Sequence, residues 1–380
     1  MYGVERSFIR EILRVASSPE VLSLAGGLPL ADLFPVDEIR AAADRVLMQD
    51  GASVLQYGAS SGDADLRSWI ADRLCSHHGI PTTPDEVMIT SGSQQGLDLC
   101  AKLFSDRPIA FEDPGYLGAR LAFQASRVPL IPVPLNDAGP DLETLEQAFD
   151  TGAAVYYGMS RFQNPTGRSY PAATANAMAE LLMKTDCWMI EDDPYGEISF
   201  GETDSPLVAQ RVPDRVIYLG SFSKSVAPSL RLGFIRAHCS LLEHLEPIKQ
   251  ATDLHTSTLI QSILRELLTG GEFNLDAHLS RICRTYQAQR DALVQAIETL
   301  VPGARIPWVA GGGMFLWASL PVPTEELFGY AIKRGVAFVP GQHFYLQEPD
   351  RSTIRLNFTN VSERLIPDAV GRIAAAVQGM

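Results

Sequence analysis

Six short apolar runs punctuate the middle of this chain: Val87–Thr90, Ile109–Phe111, Ala154–Tyr157, Trp188–Ile190, Val216–Leu219 and Leu232–Ile235. Each is strand-sized and bounded by Gly, Pro, Ser, Asn or Asp, with helical patterns in between. That alternation leaves few solutions. It predicts an α/β fold with a mostly parallel sheet flanked by crossover helices. In open parallel sheets ligands sit beyond the carboxyl ends of the strands. The loop after each run therefore carries the functional information.

The run Val216–Leu219 stops at Gly220, and a hydroxyl-rich loop comes next with Ser221, Ser223 and Lys224; Arg231 lies seven residues further on. Lysine occurs only at 102, 184, 224, 249 and 333, with arginine supplying the other cations. A lysine at the end of a buried strand has a chemical use that arginine lacks. Its amine becomes nucleophilic when desolvated beside another cation, and it forms Schiff bases.

The other strand ends are equally particular. After Val87–Thr90, the turn Ser91-Gly-Ser-Gln-Gln-Gly96 opens a helix, whose free N–H groups, hydroxyls and dipole suit a phosphate. After Ile109–Phe111 comes Glu112-Asp-Pro-Gly-Tyr116, with an aromatic ring at the strand's end. Gln163-Asn-Pro-Thr-Gly167 comes after Ala154–Tyr157 and sets Asn164 in a proline turn. Glu191-Asp-Asp-Pro-Tyr195 comes after Trp188–Ile190, an acidic cluster that needs a cationic partner if buried, either a protonated ligand nitrogen or an arginine.

Ahead of these runs, a short helical pattern leads to the arm Leu22-Ser-Leu-Ala-Gly-Gly-Leu-Pro29, an amphipathic helix over Val36–Met48 and the glycine-rich loop Leu55–Gly62. Beyond them, Leu279, Ile282, Tyr286, Leu293, Ile297 and Leu300 recur at helical spacing from Asp276 to Leu300, long enough to bridge two lobes. Gly311–Trp317, Val336–Val339 and Thr353–Thr359 read as a smaller α/β lobe. In the last of these, Ile354, Leu356 and Phe358 share one face and Arg355 and Asn357 the other.

Composition narrows the functional classes. The chain has 380 residues, is 46% hydrophobic and carries a net charge of −14. That acidity argues against nucleic acid or an anionic membrane as the main partner. No apolar run reaches the roughly 18 residues needed to cross a bilayer, and no secretory signal is read at the start. Five widely spaced cysteines read as reduced thiols of a cytoplasmic protein. The seven histidines show no metal-ligand spacing, so no metal is expected.

Taken together, the Asn-Pro-x-Gly turn, the Asp192-x-x-Tyr195 pair and Ser-x-Ser-Lys224 with Arg231 resemble the fold-type I, pyridoxal-phosphate-dependent aminotransferases of the class I/II group. The resemblance runs from about Leu22 to Arg355. The Gly-Gly-Leu-Pro arm and Leu55-Gln-Tyr57 are similar to the 2-aminoadipate, kynurenine and multi-substrate branch. It implies a large domain over 46–275 with a seven-stranded sheet, a small domain over 276–380, and an arm, partly in the small domain, over 1–45. It also implies a cofactor, pyridoxal 5′-phosphate, held by Lys224 as an internal aldimine, with Asp192 on the pyridinium nitrogen. Tyr195 and Asn164 would face the phenolic oxygen and Tyr116 would stack on the ring. Ser93, Gln94, Ser221, Ser223 and Arg231 would hold the phosphate, and Tyr57 would reach the phosphate of a second subunit in a homodimer with shared sites. Arg355 would clamp the substrate α-carboxylate, with Asn164 and Gly27 beside the substrate. The implied reaction is a ping-pong transfer between an L-amino acid and a 2-oxo acid. Other pyridoxal-phosphate reactions on the same fold stay open (elimination, decarboxylation, oxidation), as does a ligand-sensing regulatory domain. A cofactor-free Schiff-base aldolase would leave the phosphate loop and Asp192 unexplained. No second arginine for a substrate side-chain carboxylate is located.

Adjacent residues on an extended strand point to opposite faces, and Tyr195 is read on the side of Asp192. Asp192→Ala is therefore expected to depress turnover by orders of magnitude and Asp193→Ala much less. The reverse ranking of kcat would show the register to be wrong.

Overall fold

The computed structural model describes residue 18 and residues 20–201 and 205–380; the short helical pattern expected ahead of the arm lies outside them. All six apolar runs are strands. In chain order the strands are β1 (Leu22–Ser23), β2 (Val87–Thr90), β3 (Ile109–Asp113), β4 (Leu130–Asn136), β5 (Gly139–Pro140), β6 (Val155–Gly158), β7 (Trp188–Asp192), β8 (Val216–Ser221) and β9 (Gly233–Arg236), and then β10 (Phe315–Ser319), β11 (Val336–Ala337), β12 (Val339–Pro340) and β13 (Thr353–Asn357).

Eight of them form the principal sheet, in the order β2-β9-β8-β7-β6-β3-β4-β5. Strands β4, β3, β6, β7 and β8 are parallel neighbours. Strand β9 runs antiparallel to both β8 and β2, so β2 again points with the parallel set. The carboxyl ends of β2, β3, β6, β7 and β8 thus lie along one edge, with the loops read from sequence. The sheet has one strand more than expected, because the two-residue β5 folds back on β4. Strand β4 itself is absent from the expected runs: Pro132 and Pro134 interrupt its pattern and supply no N–H. It survives near the sheet edge, paired along β3 and with only two residues on its outer side.

The pleat divides the core. Ile89, Ala110, Tyr156, Met189 and Tyr218 pack into one apolar layer; Met88, Phe111, Tyr157, Ile190 and Leu219 pack into the other. Helices of the large lobe cover both faces, and Leu66, Ile70 and Leu74 from the helix Ala64–His78 belong to the first layer.

The C-terminal lobe has its own sheet, β10-β13-β12, antiparallel throughout. Its core includes Ile354, Leu356 and Phe358, packed with Ile282, Tyr286, Leu293 and Ile297 of a helix over Leu275–Leu300. That helix begins one residue before the expected start. The arm joins this lobe: β1 pairs in parallel with β11, Leu24 N–H donates to Ala337 O at 2.8 Å, and Asn357 N–H donates to Leu24 O at 2.7 Å.

Glycines let backbone pack on backbone where β8 and β9 meet the helix over Ser93–Leu103. A Cβ on Gly233 would fall 2.8 Å from Gly220 O and 2.8 Å from Ser93 N; one on Gly220 would fall 2.1 Å from the Phe234 ring. That ring is hemmed in by Tyr218 and Phe222, at 6.1 and 6.0 Å between centroids. Gly220→Ala is expected to cost about 1–3 kcal/mol, the usual penalty of overpacking, measured as a lower urea midpoint with unchanged slope. An unchanged midpoint would show that the ring moves freely.

Candidate active site

Lys224 sits four residues beyond Gly220 in the loop after β8. Its Nζ donates to Gly27 O at 2.8 Å, so the arm closes over the lysine. Burial, then the charges of Arg231 and Arg355, push the amine down to about 8. At pH 7 roughly a tenth is therefore free base, where an ordinary lysine has almost none.

Arg355 comes from the middle strand of the small sheet, opposite Trp317 and Val339. It is 4% exposed. Nη1 donates to Asn164 Oδ1 at 2.8 Å and Nη2 to Ala25 O at 2.6 Å. The guanidinium lies between the rings of Phe315 and Phe344, 4.2 and 4.9 Å from their centroids. Among the described residues its buried Nε has no partner and no carboxylate contacts it, and burial lowers its pKa to about 10. Asn164 links this cation to Tyr195: burial and then Tyr116 raise the Tyr195 phenol, and the Arg355 charge and, less strongly, a hydrogen bond with Asn164 pull it partly back.

The three acids after β7 meet three fates. Glu191 accepts from Ser160 Oγ and from the Val208 and Ala209 N–H groups at 2.9 Å each. Asp193 accepts from Arg161 and, at 2.9 Å, from the Tyr218 hydroxyl, in the first apolar layer. Asp192 points the other way. Its Oδ2 accepts from the Tyr157 hydroxyl at 3.0 Å, and its Oδ1 is buried with no partner among the described residues. Burial lifts its carboxyl to about 7, with Tyr157 pulling down and Asp193 pushing up. The arginine that the acidic cluster called for is thus Arg161, and it serves Asp193. Asp192 has no cation among the described residues.

Gly92, Ser93, Ser221 and Arg231 form one corner. The helix over Ser93–Leu103 begins at Gly92, which has φ +81° and no side-chain cap. A Cβ on Gly92 would fall 2.6 Å from Arg231 Nη2, so only glycine leaves that space open. Arg231 itself adopts the left-handed region, φ 51°, and donates to the carbonyls of Ser91 and Pro228 at 3.3 and 3.5 Å. Ser221 pairs with Gly233, which abuts Ser93 N, and its Oγ accepts from Ser223 N–H at 3.2 Å. Gln94 is exposed, its amide donating to Gly118 O at 3.0 Å. Burial raises the Tyr116 phenol to about 12; Asp192 adds to that, and Arg355 and Arg231 oppose it.

Lys224, Asp192, Tyr195, Tyr116, Arg231 and Arg355 are thus linked through one another's charges. Tyr57 is not drawn in: it is 78% exposed, with its ring edge-on to His255 at 5.6 Å. Sequence reading missed three contributors. Tyr157 lies at the end of an expected strand, but nothing in the sequence pairs it with Asp192. Phe315 and Phe344 come from separate segments that only the fold brings onto Arg355.

The chain matches the family model "Aminotransferase class I and II" over residues 19–373. It belongs to that family. The aromatic-amino-acid aminotransferase 1 of Thermococcus litoralis is 37% identical, covering 99% of this chain and 92% of that protein. The alpha-aminoadipate aminotransferase of Thermus thermophilus, solved with N-(5′-phosphopyridoxyl)-L-leucine, superposes with a TM-score of 0.90 at 37% identity over 99% of this chain and 95% of that one. The kynurenine aminotransferase of Pyrococcus horikoshii, solved with PMP, gives 0.91 at 34% over the same shares. This chain is a pyridoxal-phosphate-dependent aminotransferase. The residues present fit the cofactor: an orphaned buried carboxylate oxygen suits its ring nitrogen, the Gly92–Arg231 corner its phosphate, and a partly neutral lysine its aldehyde.

The lowered amine fixes a pH dependence. Capture of pyridoxal phosphate by the apoenzyme, followed by stopped-flow absorbance, is expected to accelerate as pH rises through about 8. Arg355→Ala removes a repelling cation and should move that midpoint upward; ionisations of the cofactor itself are common to both proteins and cancel. Lys224→Ala should show no borohydride-reducible link at any pH. An Arg355→Ala midpoint equal to the parent's would remove the electrostatic account.

Proposed function

We propose that this enzyme moves an amino group between an L-amino acid and a 2-oxo acid in two half-reactions, with Lys224 as the catalytic amine. The observation that carries the reading is charge. Among the described residues, Lys224 and Arg355 are two cations with no carboxylate contact, and Asp192, whose Oδ1 has no donor, acts with Arg355 on the same two phenols, Tyr116 and Tyr195. When bound, pyridoxal phosphate supplies the electron sink for charge developing at the substrate α-carbon. Lys224 Nζ is the amine that would hold the cofactor's aldehyde carbon, and as free base it would carry the proton between the substrate α-carbon and that same cofactor carbon. Asp192 Oδ1 is the oxygen that would keep the ring nitrogen protonated, a contact that would in turn favour the ionised carboxylate. Tyr195 and Asn164 address the phenolic oxygen. Ser93, Gln94, Ser221, Ser223 and Arg231 bind the phosphate, and Tyr116 covers the ring. Arg355 takes the α-carboxylate: its plane is set by Phe315 and Phe344, and its Nε is open for a charged hydrogen bond.

We further propose a cytoplasmic homodimer, with the cofactor in the domain over 46–275, the small domain over 276–380 and the arm over 1–45. Tyr57 and Leu55, 78 and 67% exposed, line one open groove with His255 and Leu259, which a second copy would cover while bringing Tyr57 to its phosphate.

The arm supplies selectivity in this reading. Thr359 Oγ1 donates to Leu28 O at 2.7 Å and Leu30 N–H to Tyr286 Oη at 3.0 Å, so the arm's backbone is anchored while the Leu28 side chain stays half exposed. Gly27 is too tight to probe, because an added Cβ would meet the Phe315 ring at 3.0 Å. Arg355→Ala is expected to lower kcat/KM by similar factors for acidic, aliphatic and aromatic donors, at least about tenfold for a lost charged pair. Leu28→Ala should re-rank them. Loss of the acidic donor alone on Arg355→Ala would make that arginine a side-chain selector.

A further inference from the structure

Resting on the reading of Asp192 as partner of the ring nitrogen, we propose that Tyr157 is the positioning residue of this reaction, its hydroxyl fixing Asp192 Oδ2 so that Oδ1 is the oxygen presented to the cofactor. Tyr157 stands on β6, in register with Phe111 of β3 and Ile190 of β7, and is fully buried. Its ring stacks on Phe111 at 5.0 Å and 13°, and Phe123 meets it edge-on at 5.6 Å. Two aromatic walls thus set the phenol's direction, and the Asp192 oxygen lies 3.0 Å from it.

The phenol is a donor and nothing else. Burial, then the neighbouring Asp192 and Glu112 charges, raise its pKa well above the ordinary value, so it does not ionise in the working range. It is Asp192's one hydrogen-bond donor among the described residues, and the other carboxylate oxygen is orphaned. A carboxylate without Tyr157 could rotate, and its burial would no longer be opposed by a donor. Tyr157 touches no reacting atom; its effect passes through Asp192.

The test is Tyr157→Phe, which removes one oxygen and keeps the aromatic stack. In apoenzyme carrying 13C-carboxyl aspartate, with Asp192→Asn assigning the signal, the Asp192 titration should move upward from its parent midpoint. In the loaded enzyme the cofactor's 15N ring signal should move toward that of a deprotonated pyridine. Turnover should fall about 10- to 100-fold, the range for losing a hydrogen bond to a charged group, with KM for the amino donor nearly unchanged. An unmoved Asp192 titration and an unmoved 15N signal would reduce Tyr157 to packing and overturn the proposal. If Asp192→Asn itself leaves the 15N signal and turnover intact, the underlying reading of Asp192 has failed instead. Should the phenylalanine variant not fold, site-specific 3-fluorotyrosine at 157 gives a more acidic donor in the same stack. It should shift the Asp192 titration downward, and an unshifted midpoint overturns the proposal.

Discussion

The site depends on charge buried without its counter-charge. Removing an ion from water costs several kcal/mol unless a partner replaces the lost hydration. Arg355 has two carbonyl-type oxygens and two aromatic faces as compensation, and Lys224 has one backbone carbonyl. Asp192 has one phenol. Each group answers with a pKa displaced toward its neutral form. A cofactor phosphate, a protonated ring nitrogen and a substrate carboxylate are the counter-charges that match this arrangement.

Such tension persists only on a stiff frame, and the glycines at the junction of β8, β9 and the helix over Ser93–Leu103 supply it. Gly220, Gly233 and Gly92 permit close approaches that a single Cβ would prevent. The approach brings the helix start, Ser221 and Arg231 to one corner, and it sets where the loop to Lys224 departs. The same missing side chains give the tight backbone packing and leave space beside the Arg231 guanidinium.

The two lobes meet at the site through the arm. Ala25 and Gly27 carbonyls accept from Arg355 and Lys224, and Leu24 stitches β11 to β13 by its backbone. Under the role proposed for Arg355, a substrate carboxylate would meet a guanidinium that already donates to Ala25 O of the arm.

Much of this was legible in the residues alone. Short apolar runs between helical patterns follow from local periodicity, which marks a strand and its faces nearly unaided; hence the six runs found as strands, the two-sided acidic cluster and the turn of Arg355 away from its apolar neighbours. Strand β4 was not legible, because Pro132 and Pro134 erase the pattern and only its place near the edge makes it tolerable. The strand-end loops, Lys224 among them, announced themselves by residue type. What no local signal carried was partnership. That Arg161 neutralises Asp193 while Asp192 receives a phenol from Tyr157, and that Phe315 and Phe344 close on Arg355, depends on strand order and on how two lobes meet. Partners of this kind can be far apart in the chain, as Arg355 and Asn164 are at 191 positions. Periodicity acts over a turn or a pleat, whereas electrostatic pairing acts through space, and the tertiary fold alone decides which charges become neighbours.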